Sequence, residues 1–406
     1  MWKPKQKYAW ARILIATFFL VAGQAIVLWS FPFQLPLFLI SLNLFVTAVY
    51  LFSACHERSA LFAFGLSAAA ITLATVETVA LQFQRSPVVV HREAIDRPET
   101  SYDDLPETSY DDKMFYTLKA GSWHEVGMIS ERVVWECTQT VANDGSRIVP
   151  RRPVSGPVWG CFGGSFTFGH HLNDDETIPA VLQTADESIR VYNYGINGHG
   201  TADVYFQIQK RFAEHPSMSC CIYFMIDGHI NRVGLPDWHL ARMEVNLERP
   251  RFTLIDGALA YLGKARDSVG PIWRLHIELC RKVWLLRRLN RMLFDPSDAA
   301  MTTTQGLVTA MRQICEQRGC RFLLVRLPGE NPNEAVKHSK LYTALTEADV
   351  IVVDLHQRLK QHVAESGDDW SGFYLPNDGH PNSAGNRLFA QWTLEALSKL
   401  DSAARE

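Results

Sequence analysis

The 406-residue sequence contains no long run of basic residues, and its formal net charge is −3. A surface that binds nucleic acid needs concentrated positive charge, so the composition argues against a nucleic-acid partner. The eight cysteines follow none of the spacings that hold zinc. No small-residue cleavage site follows the first apolar segment, which argues against a removable signal peptide.

Two pairs of cysteines lie in or beside predicted strands. Cys220 and Cys221 are adjacent within a buried strand, where small apolar side chains are expected. Cys315 and Cys320 fall between a predicted helix end and the next strand, close enough in sequence to form a disulfide in an oxidising compartment. The sequence leaves the oxidation state of this second pair open.

Apolar segments dominate the N-terminal part of the chain. Residues 13–31, 35–54 and 61–83 each approach the ~20 residues that cross a bilayer. The first segment is preceded by basic residues, and the second connection carries another: Lys3, Lys5, Lys7, Arg12 and Arg58. This asymmetry predicts a cytoplasmic N-terminus, three transmembrane helices in the inner (cell) membrane, and an extracytoplasmic or periplasmic location for everything after residue 83.

The composition divides the remaining chain into a linker and a domain. Residues 84–113 are polar and acidic and contain a tandem PETSYDD repeat, which predicts a flexible linker because such a stretch cannot bury enough apolar area to fold. Residues 114–406 are predicted to form one domain. Within it, residues 114–150 predict a lead-in β-hairpin, and residues 237–295 predict an irregular or helical insert.

Apolar β-like runs alternate with helical patterns through this domain. The predicted strands are residues 158–162, 189–191, 219–226, 321–326 and 350–354. The predicted helices are residues 178–184, 201–215, 301–318, 333–348 and 383–400. Such alternation predicts an α/β fold: a three-layer α/β/α sandwich with a mostly parallel sheet covered on both faces.

One stretch, WGCFGGSFTFG at residues 159–169, places Ser165 between a predicted strand and the following helical region. Glycines let the backbone turn sharply there, and backbone N–H groups near a serine can face a developing oxyanion. Taken alone, the stretch fits a glycine-rich turn with an incidental serine equally well. The other loops of the domain therefore decide how it is interpreted.

Three further polar, glycine-bearing loops follow in order: NYGING at 193–198, DGHIN at 227–231 and DGHPNSAGN at 378–386. Together with the first stretch, these ordered blocks resemble the SGNH/GDSL hydrolase superfamily, which includes esterases, lipases and polysaccharide O-acetyltransferases. The resemblance covers about residues 114–400. It implies an SGNH/flavodoxin-like fold and an activity that proceeds through an acyl-serine intermediate.

The resemblance implies a catalytic triad. Ser165 occupies the nucleophile position, and His380 is the candidate base, because an imidazole with a pKa of about 6.5 can take and return a proton near neutrality. Asp378 is the expected orienting acid, in a spacing that resembles the O-acetyltransferase branch. Asn377 stands at the commoner family position of that acid. Gly164 stands where the family usually has aspartate.

The resemblance also implies oxyanion donors. Gly198 matches the backbone donor of the family, a position where a residue without Cβ lets the amide come close to a reacting carbonyl. The third block offers two candidates: His229 by its distance from the strand end, and Asn231 by its amide chemistry. Both remain open. His170, His171 and His199, together with His380, raise the question of a metal site, but their spacing does not support one. No metal or other cofactor is predicted, since a serine mechanism needs none.

The blocks and the anchor together predict a membrane-embedded serine esterase or acyltransferase that acts outside the cytoplasm on ester-linked acyl groups. O-acetyl groups of a cell-envelope polysaccharide are the simplest substrate, and an ester-bearing lipid is another. The sequence does not separate hydrolysis from transfer, and a transferase would need a membrane partner that supplies acyl groups. The alternative is a catalytically silent SGNH-like scaffold in an envelope assembly complex, suggested by Gly164 and the irregular third block.

Overall fold

The computed structural model of the protein describes residues 89–94, 108–129, 131–233, 249–282, 297–332 and 338–403. The three predicted membrane spans lie outside these residues. Within the described ranges, no helix is both long and apolar enough to cross a bilayer. Ser86–Leu279 and Asn290–Glu406 form one unit, which contains the strands and the loops discussed below.

The described part of the chain contains twelve strands and nine α-helices. The strands are β1 (Val89–Ala94), β2 (Thr108–Tyr110), β3 (Tyr116–Leu118), β4 (Gly121–Ile129), β5 (Arg132–Val141), β6 (Val158–Gly163), β7 (Arg190–Gly195), β8 (Met218–Met225), β9 (Pro250–Ile255), β10 (Ala258–Lys264), β11 (Arg321–Arg326) and β12 (Val352–Asp354). The helices are α1 (Ser165–Phe168), α2 (Ile178–Ala185), α3 (Thr201–Glu214), α4 (Ala265–Ser268), α5 (Pro271–Lys282), α6 (Ser297–Glu316), α7 (Ser339–Glu347), α8 (Leu355–Ser366) and α9 (Ser383–Ala403).

The central sheet has five parallel strands in the order β7-β6-β8-β11-β12. Numbered along the chain, this is the 2-1-3-4-5 order of flavodoxin-like folds, which confirms the predicted parallel sheet. Gly163 at the end of β6 pairs with Gly195 of β7 and Phe224 of β8, so the three strands end at one edge. Sites in such folds lie beyond the carboxyl ends of the strands, where the strand order reverses.

Both faces of this sheet are buried, as the predicted three-layer sandwich requires. Tyr223 and Phe224 are neighbours on β8 and point to opposite faces. Tyr223 belongs to a core that includes residues of α3, α6 and α7. Phe224 belongs to a second core that includes residues of α2, α8 and α9. Each large apolar side chain buried in this way contributes about 1.5–3 kcal/mol.

The predicted lead-in hairpin is present as β4 and β5, which pair antiparallel. The range predicted as a flexible linker differs from that prediction at two places. β1 pairs with β4, and β2 pairs with β3. The sequence of β1, VVHREA, lacks the acidic and proline-rich character of the repeat, and its backbone N–H and C=O groups find partners along the edge of β4.

The insert contains a β-hairpin, which corrects the prediction of an irregular or helical segment. β9 and β10 pair antiparallel around Asp256 and Gly257, whose φ angles are +51° and +79°. Positive φ at both central residues defines the tight turn that Asp-Gly favours, so the dipeptide is the sequence signal of this hairpin. Helices α4 and α5 follow it.

Helix α8 is a further element that the sequence analysis does not predict. The carboxylate of Asp354 accepts hydrogen bonds from the backbone N–H groups of His356 and Gln357, which caps the start of the helix. Gly367 ends it in the left-handed conformation. Predicted helix 333–348 is present as α7, which begins at Ser339, and residues 333–337 lie outside the described part.

The six cysteines within the described residues are buried and free. Cys315 and Cys320, whose oxidation the sequence leaves open, are therefore not joined by a disulfide here. Burial raises the pKa of Cys220 to about 12 and that of Cys221 to about 11. These two thiols act as small apolar side chains, as predicted for a buried strand.

Candidate active site

Ser165 is the first residue of α1, directly after the turn that ends β6. A Cβ on Gly163 would stand 2.1 Å from Thr167 Oγ1 and 2.6 Å from the carbonyl oxygen of Phe224, so only glycine fits there. The tight packing of this turn fixes where α1 begins. Ser165 is 7% exposed, at the carboxyl edge of the sheet.

A continuous line of hydrogen bonds joins the three residues predicted to form the triad. Ser165 Oγ lies 2.8 Å from His380 Nε2, and His380 Nδ1 lies 2.5 Å from Asp378 Oδ1. Because an ionised carboxylate can only accept, Nδ1 carries the proton and Nε2 is free to accept one from the serine. Burial by itself raises the pKa of Asp378, but hydrogen bonds from His171 and His380 outweigh it and lower the pKa well below its usual range.

The loop before α9 holds Asp378 and His380 in this geometry. Gly379 has φ +83°, and Asn377 has φ +59°, so two left-handed residues flank the aspartate. The backbone N–H of Leu375 donates to the carbonyl of His380 at 2.7 Å, which closes the loop. Asn377, at the commoner family position of the acid, is therefore a turn residue, and the carboxylate bonded to His380 belongs to Asp378.

The backbone of Gly198 lies in the loop after β7, with φ +76°. Tyr116 donates to the carbonyl of Asn197, and Arg249 Nη2 donates to the carbonyl of Gly198 at 2.7 Å. These bonds fix the peptide planes on both sides of the glycine. Among the described residues, no acceptor is bonded to the N–H of Gly198 or to the N–H of Ser165.

His229 supplies a buried nitrogen close to the nucleophile loop. Its Nε2 has no hydrogen-bond partner within the described residues, and a Cβ on Gly164 would stand 2.6 Å from that atom. The other ring nitrogen, Nδ1, lies 3.0 Å from the hydroxyl of Tyr223, which lies 3.0 Å from Thr201 Oγ1. When Tyr223 donates to Nδ1, the proton of the neutral ring is on Nε2, which is then a donor.

Burial and nearby positive charges keep the imidazole ring of His229 neutral. Burial lowers the pKa of His229 well below its usual value, and the guanidinium groups of Arg232 and Arg249 lower it further. Burial and Arg249 also lower the pKa of Arg232, to about 10. A neutral imidazole N–H beside two positive charges is suited to face an oxygen that gains negative charge.

Asn231, the other candidate of the third block, lies in the same 3-10 turn, Asp227–Arg232, and its side chain is outside the described part. Asp227 fixes the start of this turn. Arg326 donates to both of its carboxylate oxygens, at 3.2 and 2.9 Å, and the hydroxyl of Tyr342 donates to it at 2.7 Å. The structure thus brings His229 to the nucleophile loop.

His171, which contacts the triad, and Glu125, which contacts His171, were not predicted to support it; the sequence analysis considered His171 only as a metal ligand. His171 Nε2 lies 3.5 Å from Asp378 Oδ2, and His171 Nδ1 lies 2.9 Å from Glu125 Oε2. Glu125 lies on the inward face of β4 and is fully buried. An acidic residue among the alternating inward-facing positions of a strand is the sequence signal that could have identified Glu125.

The remaining histidines considered for a metal site have other partners. His199 Nε2 lies 2.9 Å from the carbonyl of Tyr116, and His170 Nδ1 lies 3.0 Å from Asn197 Nδ2. Within the described ranges, no group of three or more histidine, cysteine or acidic side chains is arranged to hold a metal ion.

Arg147 holds the segment that follows the nucleophile. Its guanidinium is fully buried and donates to the carbonyls of Phe168, Gly169 and Leu172, while Nε pairs with Asp174 at 3.0 Å. A buried cation needs this number of partners, because desolvation costs several kcal/mol per ion. These bonds of Arg147 fix the path of the chain through His170 and His171.

Comparison with known proteins finds similarity to solved structures at low sequence identity. No family model matches the chain, and no curated protein matches it. Among solved structures, TesA is 15% identical over 60% of this chain and 99% of its own, with a TM-score of 0.35. A lipolytic G-D-S-L family protein from Veillonella parvula is 13% identical over 59% of this chain and 97% of its own, with a TM-score of 0.34. The acetyl xylan esterase AlAXEase is 12% identical over 59% of this chain and 98% of its own, with a TM-score of 0.34. At this level of similarity, the comparison carries no argument about activity, which rests on the site alone.

Proposed function

We propose that this protein is an SGNH-type serine esterase or acyltransferase that acts on ester-linked acyl groups through an acyl-Ser165 intermediate. The observation that supports this most directly is the line of hydrogen bonds from Ser165 through His380 to Asp378. A serine hydroxyl becomes a useful nucleophile when an oriented base takes its proton.

The geometry supports a two-step mechanism. Ser165 Oγ attacks the acyl carbonyl while its proton passes to His380 Nε2, and Asp378 stabilises the imidazolium that forms. The carbonyl oxygen becomes an oxyanion facing the N–H groups of Ser165, Gly198 and His229. When the tetrahedral intermediate collapses, the C–O bond to the alcohol breaks and His380 returns the proton to the leaving oxygen. Water or a sugar hydroxyl then attacks the acyl-serine by the same route in reverse.

The proposed substrate is an ester-bearing glycan, most simply an O-acetylated polysaccharide of the cell envelope. This part of the proposal is supported by the predicted membrane anchor, which would hold the site outside the cytoplasm and close to envelope polymers. If the acyl group is transferred to a sugar, a membrane partner is needed to supply it. If it is lost to water, the isolated protein suffices.

Covalent labelling tests the proposal. The full-length protein is treated with a fluorophosphonate and analysed by peptide mass mapping, with Ser165→Ala as the matched variant. We expect one modification, at Ser165, and none in the variant, which should stay folded because a single hydroxyl carries little packing energy. Labelling elsewhere, or equal labelling of both proteins, would favour the silent-scaffold alternative.

The substrate is tested in cells. The O-acetyl content of envelope polysaccharide is compared between cells that produce the wild-type protein and cells that produce Ser165→Ala. A fall in acetylation with the active protein indicates an esterase, and a rise indicates a transferase. Identical acetylation in both strains would contradict the proposed glycan substrate while leaving the serine chemistry intact.

A further inference from the structure

The polar contacts of the triad do not end at Asp378. Its second oxygen, Oδ2, lies 3.5 Å from His171 Nε2, and the opposite nitrogen of that ring, Nδ1, lies 2.9 Å from Glu125 Oε2. Gln139 Nε2 donates to the same Glu125 oxygen at 2.8 Å. The line therefore continues from the catalytic loop into the lead-in hairpin, where Glu125 lies on β4 and Gln139 on β5.

The backbone at His171 is an independent sign that this side chain is held in place. His171 has φ +61°, a left-handed conformation that costs a residue with a Cβ on the order of 1–3 kcal/mol and that glycine or asparagine adopts more easily. Its ring is packed between Trp135, at 4.3 Å between centroids, and His170, at 3.6 Å. The indole face of Trp135 favours a cation at this distance.

The groups around the ring favour its charged form. Burial lowers the pKa of His171, but hydrogen bonds to Asp378 and Glu125, and the charges of both, outweigh it and raise the pKa. Each ring nitrogen has a carboxylate oxygen beside it, so a protonated ring can donate at both. The titratable groups in contact with this ring are Glu125, His170, Asp378 and His380. The buried thiol of Cys137 lies near Glu125, and burial raises its pKa to about 11, which keeps it neutral.

We propose that His171 is a positioning residue whose imidazolium, held by Glu125, fixes Asp378 so that the other carboxylate oxygen receives the Nδ1 proton of His380. This inference rests on the proposed function, since it concerns the orientation of the same triad. Oδ2 is occupied by His171 and Oδ1 by His380, so the carboxylate has a single orientation. Glu125 supplies the counter-charge without which a buried imidazolium loses its proton.

The hairpin offers a matched control for testing Glu125. The neighbouring His124 pairs with Glu136 at 3.2 Å on the outer face of the same two strands, where both side chains are partly exposed. Glu125→Gln removes the charge beside His171 and keeps the volume, and Glu136→Gln makes the same change in the exposed pair. Any effect of Glu125→Gln that Glu136→Gln does not show arises from the buried contacts of Glu125 with His171 and Gln139.

Two measurements on the full-length protein test the proposal. The first is NMR titration of [15N]histidine-labelled protein, with the signal of His171 assigned by its loss in His171→Gln. We expect His171 to stay doubly protonated at pH 7.5 in the wild type and in Glu136→Gln, and to lose a proton at clearly lower pH in Glu125→Gln. A neutral His171 in the wild type at pH 7.5 would overturn the proposal.

The second measurement is the rate of Ser165 labelling at pH 6 and pH 8. In Glu125→Gln we expect a loss of roughly 10- to 100-fold at pH 8, the scale of a misplaced catalytic group, and a smaller loss at pH 6, where His171 is still charged. A purely structural defect would reduce both rates equally, and that result, or an unchanged rate, would overturn the proposal. Absence of Ser165 labelling in the wild type would instead contradict the proposed function, and the NMR titration would still decide the state of His171.

Discussion

The imidazole Nε2 of His229 lies 2.6 Å from the point where a Cβ of residue 164 would stand. The pattern of the resembled superfamily has aspartate at position 164 and asparagine in the third block. In this chain the larger ring of His229 takes up the space, and Gly164 leaves it free. The two departures that suggested a silent scaffold, Gly164 and the irregular third block, therefore meet at one contact in this chain.

The first prediction concerns the identity of the third oxyanion donor. We expect His229→Ala to lower turnover of an activated acetyl ester by roughly 10²–10³-fold, the usual cost of removing one such donor. Asn231→Ala is the matched variant within the same turn, and we expect it to have a smaller effect. The rates are compared in proteins of equal melting temperature. A larger loss in Asn231→Ala would assign the donor role to the asparagine.

The second prediction tests the contact between residues 164 and 229. Gly164→Ala places a methyl group where the ring stands, so the ring must move, and we expect a loss of turnover close to that of His229→Ala. Residues in direct contact are not additive, so the double variant should be no slower than His229→Ala alone. Gly270→Ala is the control, because a Cβ there meets no atom within 4 Å. Additive losses would show that Gly164 acts independently of His229.

Local sequence was sufficient to predict the elements that place the nucleophile. The apolar run before Ser165 predicts β6, because a strand pattern depends on neighbours in sequence, whereas the assignment of His380 as the base rests on the superfamily resemblance. Glu125 and His171 could not be paired in this way. Their contact joins a strand of the lead-in hairpin to a left-handed residue 46 positions later, and no periodicity encodes that pairing.

The hairpin within the insert was not predicted for a different reason. The hairpin of β9 and β10 leaves Ile255, Tyr261 and Leu262 at least 40% exposed, so apolar and polar positions do not alternate clearly. A strand signal based on one buried face is weak in such a segment. The Asp256-Gly257 turn was the stronger signal, because it depends only on backbone conformation.

The third prediction concerns the acid of the triad. We expect Asp378→Asn to leave a folded protein whose turnover falls by up to roughly 10⁴-fold, because an amide can stabilise the wrong tautomer of His380. Asp368→Asn is the matched control, since Asp368 pairs with His362 at an exposed site. Turnover is measured with an activated acetyl ester and folding by circular dichroism. Equal activity of the two variants would remove Asp378 from the mechanism.

The fourth prediction concerns topology. The lysine and arginine asymmetry across residues 13–31, 35–54 and 61–83 predicts that a reporter fused after Leu400 is extracytoplasmic and one fused near Arg58 is cytoplasmic. An alkaline phosphatase and a green fluorescent protein fusion at each site give opposite readouts, which serve as mutual controls. A cytoplasmic C-terminal reporter would contradict both the predicted anchor and the proposed envelope substrate.

The last prediction concerns stability and pH. His229 has a folded-state pKa well below that of the unfolded chain, chiefly because the ring is buried, so the unfolded state binds more protons in the interval between the two values. This part of the stability is present above the unfolded pKa of about 6.5 and is lost as the pH falls, by about 1.4 kcal/mol for each pH unit within that interval.

His229→Gln keeps a polar group near Tyr223 and removes the titration. Burial also lowers the pKa of His170 and His199, so the wild type and the variant should both weaken in acid, but the wild type should weaken more. Chemical unfolding of both full-length proteins at pH 7.5 and pH 5.5 measures the difference. An equal loss in the two proteins would mean that His229 takes up its proton without unfolding, and that the neutral ring required of the oxyanion donor is not maintained.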